Sequence, residues 1–242
     1  RRTNPALLAA GPEEFARLVL GALSPPPDHF AETAALNTRG HALLRDTALD
    51  VLEPDEVAGA RRSGALLLDV RPADEFAQGH LPGSVGVALA GRFAETAAAV
   101  RAPGQPVVLI GSAAQTAEAR VRLARLGIDE VLGATQPREV DRFDRLGPAG
   151  AGALLAADPE VQVVDVRSPA EHAGGALPGA VNLPLPQLRR RSGGLDRQRR
   201  VLVHCAGGYR SLAAASMLKA TGFADVVDLE GGWAAWTQEG AT

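Results

Sequence analysis

Intramolecular disulfides are excluded at once, because cysteine occurs only at position 205 in these 242 residues. A lone thiol that stays usable fits a reducing compartment, so a cytoplasmic protein is expected. No apolar run approaches the length needed to cross a bilayer, and no basic segment leads into a short apolar stretch at the start, which argues against membrane insertion and a leader. The chain opens on Arg1, as a fragment or a processed form would. Positive charge is not in excess: 25 Lys and Arg face 28 Asp and Glu, a net charge of -3, which argues against a nucleic-acid binder. The five histidines, His29, His41, His80, His172 and His204, show no metal-ligand spacing, so neither a metal nor a dissociable cofactor is expected. Aromatics are scarce at 4%, while Ala, Gly and Arg are abundant. The length suffices for one or two domains with sizeable cores.

What is present gathers around the cysteine. An apolar run from Val201 stops at Cys205, turns through Gly207 and Gly208, and passes Tyr209, Arg210 and Ser211 into a helical stretch. Where a strand meets a helix at such a turn, backbone N–H groups point inward and the positive end of the helix dipole adds to them, so an anionic sulfur is stabilised. A packed structural cysteine would need neither the paired glycines nor the arginine. The amides from Ala206 to Ser211 are candidate donors to that sulfur, and Gly207 and Gly208 are expected because converging amides demand backbone angles that side chains oppose. Two roles are open to Arg210: fixed charge beside an anionic substrate, or hydrogen bonds that tie the loop down.

The chain repeats itself. Leu67-Leu68-Asp69-Val70-Arg71-Pro72-Ala73-Asp74-Glu75-Phe76, continuing to Leu81-Pro82-Gly83, matches Val163-Val164-Asp165-Val166-Arg167-Ser168-Pro169-Ala170-Glu171-His172, continuing to Leu177-Pro178-Gly179, at one constant offset. Each copy reads as a short aliphatic strand ending in Asp-Val-Arg, a polar turn, a short helix, then Leu-Pro-Gly and another strand. The second copy continues with a strand at 201–203, a helix at 211–220 stopped by Gly222, and a strand at 226–229. Alternating strands and helices imply an α/β fold with a mostly parallel sheet covered on both faces.

In both halves this pattern resembles the rhodanese domain, and Cys205-x4-Arg210 resembles the active loop of rhodanese sulfurtransferases. Cysteine phosphatases use a loop one residue longer, which suits a phosphoryl group rather than a single sulfur. The resemblance implies two rhodanese-like domains, at 50–145 and 146–242, and a Cys205 persulfide that takes sulfur from a small anionic donor and yields it to a thiol or cyanide acceptor. It further implies that Asp165 braces the active loop. Gly111 stands opposite Cys205 and Thr116 opposite Arg210, so the first copy lacks both nucleophile and guanidinium. Ser112 is a poor substitute without a base beside it. Residues 1–49, including Pro25-Pro26-Pro27-Asp28-His29-Phe30, look like the closing segment of a metallo-β-lactamase-fold hydrolase or persulfide dioxygenase, which would make such a domain, upstream or separate, a partner. Helices covering the first copy would account for the same residues. The alternatives in other classes are a non-catalytic interaction module and, less favoured, a phosphatase.

The remaining features divide between bland and functional readings. Arg167 and Glu171, like Arg71 and Glu75, are spaced to pair across a helical turn. Arg189 to Arg191, with Arg197, Arg199 and Arg200, form a basic run that either steers anionic donors to the mouth or keeps a loop soluble. Ala206 departs from the family's frequent basic residue after the cysteine, which turns attention from thiosulfate toward persulfidated thiols. Tyr209 stands at the rim, against a substrate or closing the pocket. His204 should face away from Cys205 as a satisfied core histidine, and Trp233 and Trp236 read as core anchors.

Overall fold

The computed structural model describes residues 5–22, 29–40, 44, 47–137 and 141–239, so Pro25 to Asp28 and His41 lie outside the described residues. Two helices come first, α1 (Pro12–Ala22) and α2 (His29–Arg39). The first repeat then runs α3 (Pro54–Arg62), β1 (Leu66–Asp69), α4 (Ala73–Gln78), β2 (Val85–Gly86), α5 (Phe93–Val100), β3 (Val107–Ile110), α6 (Ala113–Ala124) and β4 (Val131–Thr135). The second runs β5 (Arg145–Leu146), α7 (Pro148–Ala157), β6 (Gln162–Asp165), α8 (Pro169–Ala173), β7 (Val181–Asn182), α9 (Leu185–Arg191), β8 (Val201–His204), α10 (Tyr209–Ala220), β9 (Val226–Leu229) and α11 (Gly232–Gln238). No helix among the described residues is long and apolar enough to cross a membrane.

Both sheets are wholly parallel, in the orders β2-β1-β3-β4 and β5-β9-β8-β6-β7. Parallel strands joined by crossover helices are covered on both faces, which is why the strands at 66–69, 107–110 and 201–204 are buried at every position. Alternation along each strand then sorts its side chains. On β8, Val201, Val203 and Cys205 face one core and Leu202 the other; on β9, Val226 joins the first set, and Val227 and Leu229 the second. The expected boundary at 145/146 falls inside β5, whose residues pair with Asp228 and Leu229 of the second sheet.

The two repeats share one core. Leu68, Phe76, Phe93 and Leu109 of the first pack in the same cluster as Val203, Leu212 and Leu218 of the second. Helix α10 lies between them, with every residue from Ser211 to Leu218 buried, because one side meets its own sheet and another meets the first repeat. It starts two residues earlier than the spacing predicted, at Tyr209 after Gly208, and ends before Gly222 as expected. Polar contacts pin the junction: the Gly86 amide donates to Ser216 Oγ at 3.0 Å, and Arg145 reaches Asp74 of α4 at 2.8 Å. Helix α2 rests on the first repeat, where Thr33 Oγ1 donates to the Leu126 carbonyl at 2.9 Å and Glu32 meets Arg101 at 3.3 Å.

Candidate active site

Cys205 follows the last residue of β8 and Tyr209 opens the 12-residue helix α10, so the intervening turn sits at the carboxyl edge of the second sheet, where open α/β sheets place their ligands. Among the described residues, the amides from Ala206 to Ser211 donate to no backbone carbonyl. Their carbonyl counterparts are held elsewhere. The Trp233 amide donates to the Cys205 carbonyl at 2.7 Å and the Ala234 amide to the Ala206 carbonyl at 2.9 Å, so the start of α11 engages two of the turn's carbonyls while its N–H groups stay out of the backbone ladder. Cys205 itself is 1% exposed, and its Sγ lies 3.4 Å from Ser211 Oγ.

Two glycines make this close approach possible, one in the cysteine turn and one at the start of α11. Gly208 has φ +82, and a Cβ there would stand 2.9 Å from the Gly231 nitrogen. Gly232, at φ +57, would put a Cβ 2.4 Å from the Cys205 carbonyl oxygen, whereas a Cβ at Gly231 (φ +69) would meet Ala235 of its own helix at 2.6 Å. Gly207 corrects the expectation: its φ is not positive, and a Cβ there would meet nothing within 4 Å. It lines open space above the loop.

Arg210 is tied down. Its Nη1 and Nη2 donate to Glu171 at 3.0 and 2.6 Å, a two-pronged pair. Arg210 holds the Glu171 carboxyl at about 2, and Glu171 in turn raises the guanidinium, with the nearby Cys205 adding to the rise. Ser168 fixes Glu171 through a capping box at the start of α8, its backbone N–H and hydroxyl both donating to Oε2 at 2.9 Å. The expected Arg167–Glu171 and Arg71–Glu75 pairs therefore do not form. Arg167 folds back on Asp165 instead, Nε to Oδ1 at 2.9 Å and Nη2 to Oδ2 at 2.7 Å, and Arg71 does the same with Asp69. A fully buried carboxylate at a strand end requires a cation, and the arginine two residues on is within reach.

Asp165 is thus occupied by Arg167 and by His172 Nδ1 at 2.9 Å, and among the described residues it makes no hydrogen bond to the 206–211 loop. Burial pushes its carboxyl up, and the donors from Arg167 and His172 outweigh that to leave it lowered. His204 faces away from Cys205, but it is not a satisfied histidine: both ring nitrogens are buried without a hydrogen bond, the nearest Asp165 oxygen being 3.8 Å away, and burial lowers it to about 4. The Tyr209 hydroxyl donates to the Ala88 carbonyl of the first repeat at 2.6 Å, and burial raises it to about 12. It closes the junction and is not free at the rim. Trp236 is a core anchor, whereas Trp233 is only partly buried and lies over the Arg167 guanidinium at 5.3 Å.

The basic run sits at the wrong end for steering. Arg197, Arg199 and Arg200 precede β8, at the amino edge of a sheet whose carboxyl edge carries Cys205, and Arg189 to Arg191 end α9 as it returns to that same edge. Arg197 donates to the Thr221 carbonyl, Arg199 meets Glu160 and Arg200 meets Asp225. The spacing pairs Glu171 with Arg167, whereas the structure gives it to Arg210.

In the first repeat, Gly111 occupies the position of Cys205, Ser112 Oγ accepts the Gln115 amide as a helix cap, and Thr116 Oγ1 donates to the Ser112 carbonyl. A cavity of about 320 Å³ lined by Leu44, Leu49, Val51, Gly111, Thr116 and Val121 lies beside this turn.

Comparison with known proteins accounts for both repeats. The chain is 37% identical over 86 residues to a sulfurtransferase of Allochromatium vinosum, covering 36% of this chain and 80% of that protein. It is 38% identical over 81 residues to the thiosulfate sulfurtransferase GlpE of Shewanella oneidensis, covering 34% of this chain and 80% of the relative. A tRNA uridine(34) hydroxylase of Acaryochloris marina matches at 37% identity over 32% of this chain and 27% of its own length. Among solved structures, thiosulfate sulfurtransferase from Pseudomonas aeruginosa aligns at 26% identity over 80% of this chain and 43% of that one, with a TM-score of 0.38. The Rhodanese-like domain model matches residues 53–134 and 151–239, one span in each repeat, and the chain belongs to that family.

Proposed function

We propose that the second domain is a sulfurtransferase that carries sulfane sulfur on Cys205 and that the first domain is catalytically silent. The observation that carries the reading is the Cys205 loop itself: a lone cysteine at the positive end of α10, followed by amides from Ala206 to Ser211 that donate to no backbone carbonyl, with the Cys205 and Ala206 carbonyls engaged by α11. In the first half-reaction the Cys205 thiolate attacks the outer sulfur of thiosulfate or a low-molecular-weight persulfide. The new S–S bond forms as the donor's S–S bond breaks, and sulfite or a thiolate leaves with the electron pair. In the second, a thiol or cyanide acceptor attacks the outer sulfur and Cys205 departs as thiolate. Arg210, held by Glu171, acts chiefly by fixing the loop, and Gly207 leaves room for the donor above it. The relatives named as sulfurtransferases support the general activity, one of them naming thiosulfate. The silent reading of the first domain is supported by Gly111 and Thr116 at the equivalent positions. A metallo-β-lactamase-fold partner domain remains part of the proposal on the resemblance of residues 1–49 alone.

The test is intact mass after separate exposure to thiosulfate and glutathione persulfide, followed by a cyanide chase. A species heavier by one sulfur, mapped to Cys205, discharged by cyanide and absent in Cys205→Ser, is expected. An accessible, reduced Cys205 that loads from neither donor, or a C205S variant that still turns over, would refute the assignment.

A further inference from the structure

The turn at Gly111, which stands in the first repeat where Cys205 stands in the second, is bordered by a cavity of about 320 Å³ between α6 and the stretch at 47–51. One wall is a single face of α6: Ala113, Thr116, Ala117, Arg120 and Val121 are spaced i, i+3, i+4, i+7 and i+8, which lines them up along the helix. The other wall is fixed by β4, because the Leu52 amide donates to the Ala134 carbonyl and the Ala134 amide to the Asp50 carbonyl, both at 2.8 Å. Leu49 and Val51 line the cavity from that side. The lining is mainly apolar, and two of its valines are left to solvent, Val51 at 75% and Val121 at 45% exposed. Small-molecule sites begin at about this volume and have this make-up, apolar walls with a few placed polar groups.

The polar groups decide what such a cavity holds. Thr116 spends its hydroxyl on the Ser112 and Ala113 carbonyls of its own helix. The start of α6, where an anion would otherwise be favoured, is closed by a capping box in which the Ser112 side chain accepts the Gln115 amide and the Gln115 side chain accepts the Ser112 amide. Arg120 is the one charged side chain among the described residues of the lining. Its Nη1 donates to the Thr47 carbonyl, and among the described residues its Nε and Nη2 have no partner and no carboxylate meets it. A half-buried guanidinium with that edge to spare, beside an apolar hollow, matches a carboxylate carried on an apolar body, since a carboxylate takes such a fork two-pronged. At about 30 Å³ for a group of water or methylene size, the hollow holds roughly ten of them. We propose that this cavity binds a free medium-chain carboxylate, its head on Arg120 and its alkyl chain between α6 and the 47–51 stretch. One guanidinium suits a single acid head, whereas an anionic bilayer is met by clusters of basic residues. The site belongs to the first repeat and does not depend on the reading of Cys205.

The experiment is isothermal titration calorimetry of the full chain with sodium octanoate, hexanoate and acetate and with 1-octanol, for wild type, Arg120→Gln and Ala117→Phe. Octanoate should bind saturably at one site below its micelle concentration, and hexanoate about fifteenfold more weakly, since each buried methylene is worth about fourfold. Acetate, which has the head without the chain, should show no saturable binding. R120Q should weaken octanoate at least about tenfold, the size of a lost hydrogen bond to a charged group, and leave 1-octanol unchanged. A117F should abolish binding of both, because its ring would enter the space beside the α6 wall. Ala117 is exposed, so the fold should survive, as circular dichroism would show; should A117F fail to fold, R120Q decides. No saturable binding of octanoate overturns the proposal. So does octanoate binding R120Q as tightly as wild type, or acetate binding as tightly as octanoate, which would leave only a surface charge. Sulfur loading of Cys205 is read separately by mass, so failure of either reading leaves the other standing.

Discussion

Gly232→Ala is the substitution for which the loop geometry makes its sharpest demand. The position has φ +57, where an L residue costs about 1–2 kcal/mol. The added methyl would stand 2.4 Å from the Cys205 carbonyl oxygen and 2.9 Å from both the Ala206 carbonyl carbon and the Gly208 nitrogen. All three are backbone atoms, so no side chain can swing aside. Relief requires the turn and the start of α11 to part by about 1 Å, which breaks or stretches the Trp233–Cys205 and Ala234–Ala206 hydrogen bonds, worth roughly 1 kcal/mol each. The expected loss is about 3–4 kcal/mol, a large fraction of the total for a protein of this kind. Since those two bonds hold the Cys205 turn against α11, a displacement of this size should also slow the reaction of Cys205 with iodoacetamide by about a hundredfold.

Urea unfolding followed by circular dichroism measures the first quantity, and alkylation followed by intact mass measures the second. Gly207→Ala is the matched control, because its methyl would enter open space, and stability within about 0.5 kcal/mol of wild type is expected. A G232A protein as stable as G207A, with an unchanged alkylation rate, would refute the account of how the loop is held.

Two further outcomes follow from the pairs around the loop. The Glu171 carboxyl, held at about 2 by Arg210, contributes stability that is present above the ordinary carboxylate range and lost as pH falls from about 4.5 toward 2. The pair is about a third exposed, so solvent screening leaves the contribution near 1 kcal/mol, and Glu171→Gln should flatten that acid limb in urea titrations between pH 2 and 5; an unaltered limb would place the acid sensitivity elsewhere. Tyr209→Phe removes the hydrogen bond to the Ala88 carbonyl while keeping the ring, and should cost about 1 kcal/mol in the same assay. No change there would mean that the phenol contributes nothing to joining the repeats.

Much of this site is written locally and was legible for that reason. Strand, cysteine turn and helix from Val201 to Ala220 follow from an apolar run, two glycines and a second apolar run, and the internal repeat fixes the α/β alternation. What was not legible is contact between residues distant in the chain. Glu171 lies 39 residues from Arg210, and its spacing from Arg167 pointed to a helical pair that a nearer acid, Asp165, forestalls. The basic run was misplaced for a similar reason: adjacency to Cys205 in sequence suggested adjacency in space, but a four-residue strand at about 3.3 Å per residue separates Arg200 from the cysteine, and parallel topology puts them at opposite edges. The task of Gly232 becomes visible only when the start of α11 is packed against the Cys205 turn.

The burial of α10 explains how the first repeat can matter to the loop that carries Cys205. A helix flanking a single open sheet shows an apolar stripe and a polar face, whereas this one is buried from Ser211 to Leu218. Its second side is covered by the first repeat, through Phe93, Val85 and the Gly86–Ser216 hydrogen bond, and the helix carries the amides of Tyr209, Arg210 and Ser211 that complete the cysteine loop. The first repeat also supplies the acceptor for Tyr209 and the carboxylate of Asp74 that shares Arg145 with Asp228. Each of these contacts reaches the loop from behind, through the helix or the strand that positions it. On the proposed reading, selection for the chemistry of the second domain would preserve the packing surface of the first while placing no catalytic requirement on Gly111 and Thr116, and an intact core in the first repeat beneath a turn without cysteine or arginine is what that division of labour would produce.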